Sequence, residues 1–156
     1  MTEAQFLLEE RLGIQRDNDD RVVLVCGGRD FTDAAMVKRV MDELAESHGP
    51  FVVRHGVARG ADTLAGKWAQ KRGFRVDAMP ADWDKHGRRA GYVRNAAMLA
   101  KGGVILVVAF PGGRGTADMC RQAERAGVSV RRAKAERQKP SRRVGHEVAP
   151  KLPGLG

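Results

Sequence analysis

Aromatic side chains are scarce. One tyrosine, two tryptophans and five phenylalanines make up 5% of the 156 residues. Any core must therefore be packed with aliphatic residues and alanine, and a hydrophobic fraction of 42% is enough to build one. Cysteine is almost absent. Cys26 and Cys120 alone cannot frame a disulfide scaffold or a zinc-finger set. No apolar run approaches the ~20 residues of a membrane-spanning helix, which excludes that class. The start, MTEAQFLLEERLG, has acids where a secretory signal has basic residues before a long apolar stretch. Secretion is therefore not expected, and a reducing cytoplasm is the expected compartment. The length fits one domain.

Positive charge is plentiful but uneven. The chain carries a net +9, and residues 131–156 hold eight Lys/Arg against two acids. That leaves twenty basic and seventeen acidic residues in 1–130, which is only mildly basic. The high pI belongs largely to the tail, so charge alone does not make this a nucleic-acid-binding protein.

Periodicity divides the chain into an N-terminal helical extension (1–20), a folded domain (21–131) and a basic tail (132–156). The tail is rich in Lys, Arg, Pro and Gly without apolar period, the composition of a disordered segment. Within the domain, Val22–Cys26, Phe51–His55, Phe74–Met79, Val104–Phe110 and Val128–Val130 read as strands. Between them, Asp33–Ser47, Ala61–Arg72, Arg88–Lys101 and Thr116–Ala126 read as helices. Such alternation predicts right-handed βαβ crossovers and a parallel sheet covered on both faces. Val22–Cys26 and Val104–Phe110, the continuous apolar runs, are expected to be neighbouring, fully buried central strands.

Ligands of open parallel sheets bind beyond the carboxyl ends of the strands. The unusual residues gather there. Gly27-Gly28-Arg29-Asp30 follows the first strand, and His55-Gly56-Val57-Ala58-Arg59-Gly60-Ala61-Asp62 continues from the end of the second. Pro80–Gly87, with Trp83, follows the third, and Pro111-Gly112-Gly113-Arg114-Gly115-Thr116 the fourth. The fourth loop is the sharpest signal. Its glycines permit positive φ and close approach, and the helix behind it presents free N–H groups to a phosphate. Thr116 either caps that helix or binds a phosphate oxygen. Arg59 can fork onto a phosphate or carboxylate. Asp62 is either a helix-start charge or a ribose ligand. Gly27 and Gly28 would let a ligand approach the first strand, and Arg29 and Asp30 pair with each other or with the ligand. Trp83 either stacks on a base or folds back onto its own domain. His48 falls at a helix end and His146 in the tail, and His55, His86, Cys26 and Cys120 lack close metal-ligand spacing, so no metal site is expected. No cofactor can be named.

Four segments, Cys26–Asp33 (CGGRDFTD), His55–Asp62 (HGVARGAD), Ala81–Asn95 (ADWDKHGRRAGYVRN) and Phe110–Met119 (FPGGRGTADM), resemble the SLOG superfamily, most closely its YspA-type branch. The resemblance spans roughly residues 21–131. It implies a Rossmann-like α/β three-layer sandwich with five parallel strands in the order 3-2-1-4-5, and a nucleotide or nucleotide-derived ligand. It also places Arg94 and Asn95 near the pocket and leaves room for a homodimer. Phosphoribohydrolases of the superfamily carry Pro-Gly-Gly-x-Gly-Thr-x-x-Glu, and here Met119 stands at the glutamate position.

Two functions fit these loops: sensing a nucleotide, or hydrolysing its N-glycosidic bond. If hydrolysis occurs, Asp30 is the expected carboxylate and Asp82 the next, because Asp118 lies on another face of its helix from position 119. A third function is single-stranded nucleic-acid binding, with the tail as a weak electrostatic arm.

Overall fold

The structure is a computed structural model that describes residues 2–4, 7, 11 and 20–135. Most of the N-terminal helical stretch, and the tail beyond 135, lie outside the described residues. Five strands, β1 (Val22–Cys26), β2 (Val52–His55), β3 (Val76–Ala78), β4 (Val104–Ala109) and β5 (Val130–Arg132), form one parallel sheet in the order β3-β2-β1-β4-β5. This is the order the resemblance implied. The helices are α1 (Ala34–His48), α2 (Ala61–Arg72), α3 (Trp83–His86), α4 (Ala90–Ala100) and α5 (Arg114–Arg125), with a 3-10 turn at Gly87–Arg89 between α3 and α4.

The alternation of β1 explains its unbroken apolar run. Val23 and Val25 pack with α1 and α2 against Met41, Leu44 and Trp68. Leu24 and Cys26 face the other side, with Met98 of α4 and Met119 of α5. Each face needs its own apolar layer, so no position in the strand is left for a polar residue.

β4 neighbours β1 as expected, but it is not buried throughout. Val104–Leu106 are half-buried and only Val107–Ala109 are enclosed. β5 pairs with Val107–Ala109 alone, so the first half of β4 has no strand on that side. The register also slips between Val22↔Val104 and Val23↔Leu106, leaving Ile105 as an extra residue. β5 starts two residues later than its apolar run suggests. Packing continues to Ala133, which is buried and donates its N–H to Ala109 O at 2.9 Å.

One feature of the core gave no sequence signal. Arg54, in the middle of β2, is buried. Its Nε donates to Asp77 at 2.8 Å and its Nη1 to the carbonyls of Met98 (2.8 Å) and Gly102 (2.9 Å). Lys101 adds a second cation to Asp77 at 2.9 Å. Burial pushes the Asp77 carboxyl up, but these two cations outweigh it and hold the carboxyl below its ordinary value.

Candidate ligand-binding site

The loops after β1, β2 and β4 interlock through backbone. Gly28 N donates to Pro111 O at 2.9 Å, and Ala61 N donates to Gly28 O at 3.2 Å. These contacts leave no room for side chains. A Cβ on Gly60 would sit 2.2 Å from Gly28 O, and one on Gly112 would sit 2.6 Å from Gly28 N. On Gly27 it would meet the Ala61 Cβ at 2.5 Å. Gly60 also has φ +77, a conformation that L side chains rarely adopt. No glycine of the fourth loop has positive φ, so the expectation of left-handed backbone there is corrected. Those glycines serve space instead. Gly112 admits the first loop, whereas Gly113 and Gly115 have nothing within 4 Å of where a Cβ would stand.

A cavity of about 760 Å³ opens above this cradle at the carboxyl edge of the sheet. Gly27, Gly28, Arg29, Gly56, Arg59 and Asp62 wall it from the first two loops. Arg94 and Asn95 wall it from α4, and Gly113, Gly115 and Thr116 from the fourth loop and α5. The sequence-expected residues Gly60, Gly112, Asp30 and Asp82 stand outside those walls. The Asp30 side chain is fully exposed, 3.8 Å from Arg59. Asp82 caps α3, accepting from Lys85 N at 3.0 Å.

α5 begins at Arg114, earlier than the periodicity suggested, with Gly113 at its N-cap and no side-chain cap bond. Thr116 therefore lies in the first turn and does not cap. The unpaired N–H groups of this turn and the positive end of the helix dipole border the cavity.

Asp62 is buried and does not cap α2. Its Oδ2 accepts from Gly56 N (2.9 Å) and Ala58 N (3.2 Å), which pins the second loop. Burial pushes its carboxyl up, against the pull of those N–H groups, His55 and Arg94. His55 is buried too. Its Nδ1 accepts from Val57 N at 3.0 Å, and burial holds the imidazole below its usual value.

Arg94 donates Nη1 to Gly56 O at 2.5 Å and Nε to Asn95 Oδ1 at 3.2 Å. A Cβ on Gly56 would lie 2.1 Å from that guanidinium, so this glycine exists to admit the arginine. Asn95 spends both amide hydrogens, on Asp118 Oδ2 (3.0 Å) and Gly115 O (3.2 Å). It thereby ties α4 to the start of α5. Asp118 is held by Asn95 and by Gln122 Nε2 at 2.7 Å, outside the cavity walls. Met119 is completely buried in the core.

Sequence reasoning missed Arg88, Arg114, Val57 and Tyr92, all of which line the cavity. Arg114 sat at the variable position of the glycine loop, where residue type carries no pattern. Val57 and Tyr92, with Trp83, are exposed apolar residues around the mouth. Arg29 lies over the Trp83 ring, 5.6 Å from its centroid. Val57 has φ +63, a strained conformation for a β-branched residue.

A family model described as the YspA, cpYpsA-related SLOG family matches residues 21–86. The Gene 61 protein of Mycobacterium phage D29 is 42% identical over 118 residues, covering 70% of this chain and 94% of that protein. Among solved structures, the Moco carrier protein from Chlamydomonas reinhardtii is similar in fold, with a TM-score of 0.52 at 17% identity. That match covers 73% of this chain and 76% of the other. DNA processing protein A from Streptococcus pneumoniae matches with a TM-score of 0.48 at 18% identity, over 86% of this chain and 64% of the other.

Proposed function

The chain belongs to the YspA, cpYpsA-related SLOG family, and we propose that it binds a nucleotide or nucleotide-derived molecule in the cavity at the sheet edge. The observation that carries this reading is the charge of the walls. Arg29, Arg59, Arg88, Arg94 and Arg114 face a single carboxylate, Asp62, beside the free amides of the α5 start. An anionic group on the ligand meets hydrogen-bond donors there and competes only with the exposed, 3.8 Å pair of Arg59 with Asp30. Trp83 and Tyr92 at the mouth offer flat apolar surface to a base, and the volume lies within the usual range for small-molecule sites.

Binding without cleavage is the reading proposed here. N-glycosidic hydrolysis needs a carboxylate aimed at the ribose. Asp30 and Asp82 are outside the walls, Asp62 is buried and anchored through Oδ2 to two backbone N–H groups of its own loop, and Met119 is core. A sensor or carrier role follows.

Calorimetric titration with the four ribonucleoside monophosphates, their nucleosides and inorganic phosphate tests the proposal. At least one monophosphate is expected to bind at least tenfold more tightly than its nucleoside or phosphate alone. Equal affinity for nucleoside and nucleotide would overturn it. So would tight, steeply salt-dependent binding of oligothymidylate with no response to any monophosphate, the signature of the nucleic-acid alternative. Free base released on overnight incubation would contradict the non-catalytic part.

A further inference from the structure

A second cavity, of about 430 Å³, lies on the other side of the α5 start, where the carboxyl ends of β4 and β5 meet. Its floor is apolar, from Ala109, Phe110 and Ala133. Its rim carries Arg121, Arg132 and Lys134, and no acid lines it. Gly113 and Thr116 belong to both cavities, so the two are adjacent across one turn of α5. Together their walls hold eight cations and one carboxylate.

We infer that the second cavity is an anion-binding subsite of the same ligand, which makes that ligand a dinucleotide: two nucleoside units joined through phosphate. The inference rests on the nucleotide reading of the main cavity. Three features support it. Both volumes fall within the range of small-molecule sites, so the second space suits more than a solvated ion. The shared wall is the amide-bearing first turn of α5, where a linking phosphate is within reach of both sides. The rim arginines are also held only loosely by acids. Arg132 is 3.3 Å from Glu124 and Arg121 is 3.9 Å from Asp118, and both arginine side chains are more than half exposed. Exposed pairs of this kind are weak, so an incoming phosphate replaces them at little cost. The Cys120 thiol, which faces this cavity, responds to the same field. A hydrogen bond with Cys26, together with the charges of Arg132 and Arg121, holds it below its usual value.

Phosphodiester and pyrophosphate linkages share this chemistry, and the test separates them. Adenosine monophosphate, the phosphodiester-linked dinucleotide pApA and the pyrophosphate-linked diadenosine diphosphate are titrated into the full chain and into an Arg132→Ala/Lys134→Ala variant whose melting temperature is checked first. In the wild-type protein, pApA or diadenosine diphosphate is expected to bind at least tenfold more tightly than the monophosphate. That advantage should disappear in the variant while monophosphate affinity stays within twofold. The linkage is assigned by which of the two dinucleotides shows the advantage. No advantage for either in the wild-type protein overturns the second subsite and leaves the nucleotide reading standing. An equal loss for all three ligands in the variant does the same. If none of the three binds, the nucleotide reading itself fails, and the second subsite with it.

Discussion

Around the main cavity, the loops after β1, β2 and β4 touch one another through backbone, whereas the segment after β3 meets them with exposed side chains. In the first region Gly27, Gly60 and Gly112 are filled by neighbouring loops, and Asp62 and Asn95 are buried. In the second, neither α3 nor the 3-10 turn buries a single residue, and Trp83 is half exposed. A site that must place a phosphate needs fixed donors. A site that must accept a flat ring needs only a surface. The interlocked region is therefore sensitive to a single carbon atom. The rim should tolerate truncation, at a cost only in affinity for the proposed nucleotide.

The contrast is broken or sharpened by substitutions on each side. Gly60→Ala should have the largest effect, because the new Cβ meets Gly28 O at 2.2 Å and φ is +77. Left-handed strain of ~1–2 kcal/mol and overpacking of ~1–3 kcal/mol sum to about 3 kcal/mol of stability, read as a drop in melting temperature of roughly 10 °C. A melting temperature within 2 °C of wild type would show that the cradle is looser than described. Trp83→Ala should leave the melting temperature unchanged and weaken nucleotide binding by ~1–3 kcal/mol, roughly five- to 150-fold. An unfolded variant would make Trp83 a core residue instead. Val57→Asn replaces a β-branched residue at φ +63 with one that tolerates the left-handed region, and should stabilise by about 1 kcal/mol in urea unfolding. A loss of stability would mean that the valine side chain makes contacts worth more than its strain.

The smallest effect concerns pH. The folded His55 titrates below its ordinary 6.5 because it is buried. In acid the unfolded chain binds that proton more readily, so the stability tied to neutral His55 is complete above about pH 6.5. It is lost as pH falls through the lowered folded value. Asp62 works in the opposite sense. Its carboxyl is raised by burial, so its contribution is complete below 3.8 and is lost as pH rises through the raised value. His55→Asn keeps an acceptor for Val57 N without the titration. Its unfolding free energy should fall less than wild type between pH 7.5 and 5.5, and an identical fall would place the acid sensitivity elsewhere.

How much of this was legible follows from the range over which each feature is encoded. The strands and the glycine loops behind them rest on short local patterns, an apolar run followed by glycines, whereas the strand order came from the family resemblance. Asp62, Asn95 and Arg94 were read as pocket residues, but their partners were not. Asn95 bonds Asp118 from 23 residues away, and Arg94 bonds Gly56 from 38 away. No local pattern encodes such pairs. Arg54 was hidden for the same reason, since its anchors lie 23 to 48 residues distant. The favoured carboxylates, Asp30 and Asp82, were chosen for loop position. Whether a loop side chain turns into a cavity, caps a helix or faces solvent depends on the backbone that folds around it.

The central claim is that Gly113 and Gly115 leave their space for a ligand, unlike Gly27, Gly60 and Gly112, which leave theirs for the protein. Gly113→Val tests it most directly. Nothing lies within 4 Å of the added carbon, and the only cost to the unliganded fold is the backbone at ψ −139, unfavourable for a β-branched residue, so the unliganded protein should stay folded and melt only a few degrees below wild type. The valine side chain projects into the cavity beside the free amides of α5. Titrated with the monophosphate that binds the wild-type protein most tightly, the variant should show at least a hundredfold loss of affinity. Unchanged affinity in a folded Gly113→Val protein would contradict the account.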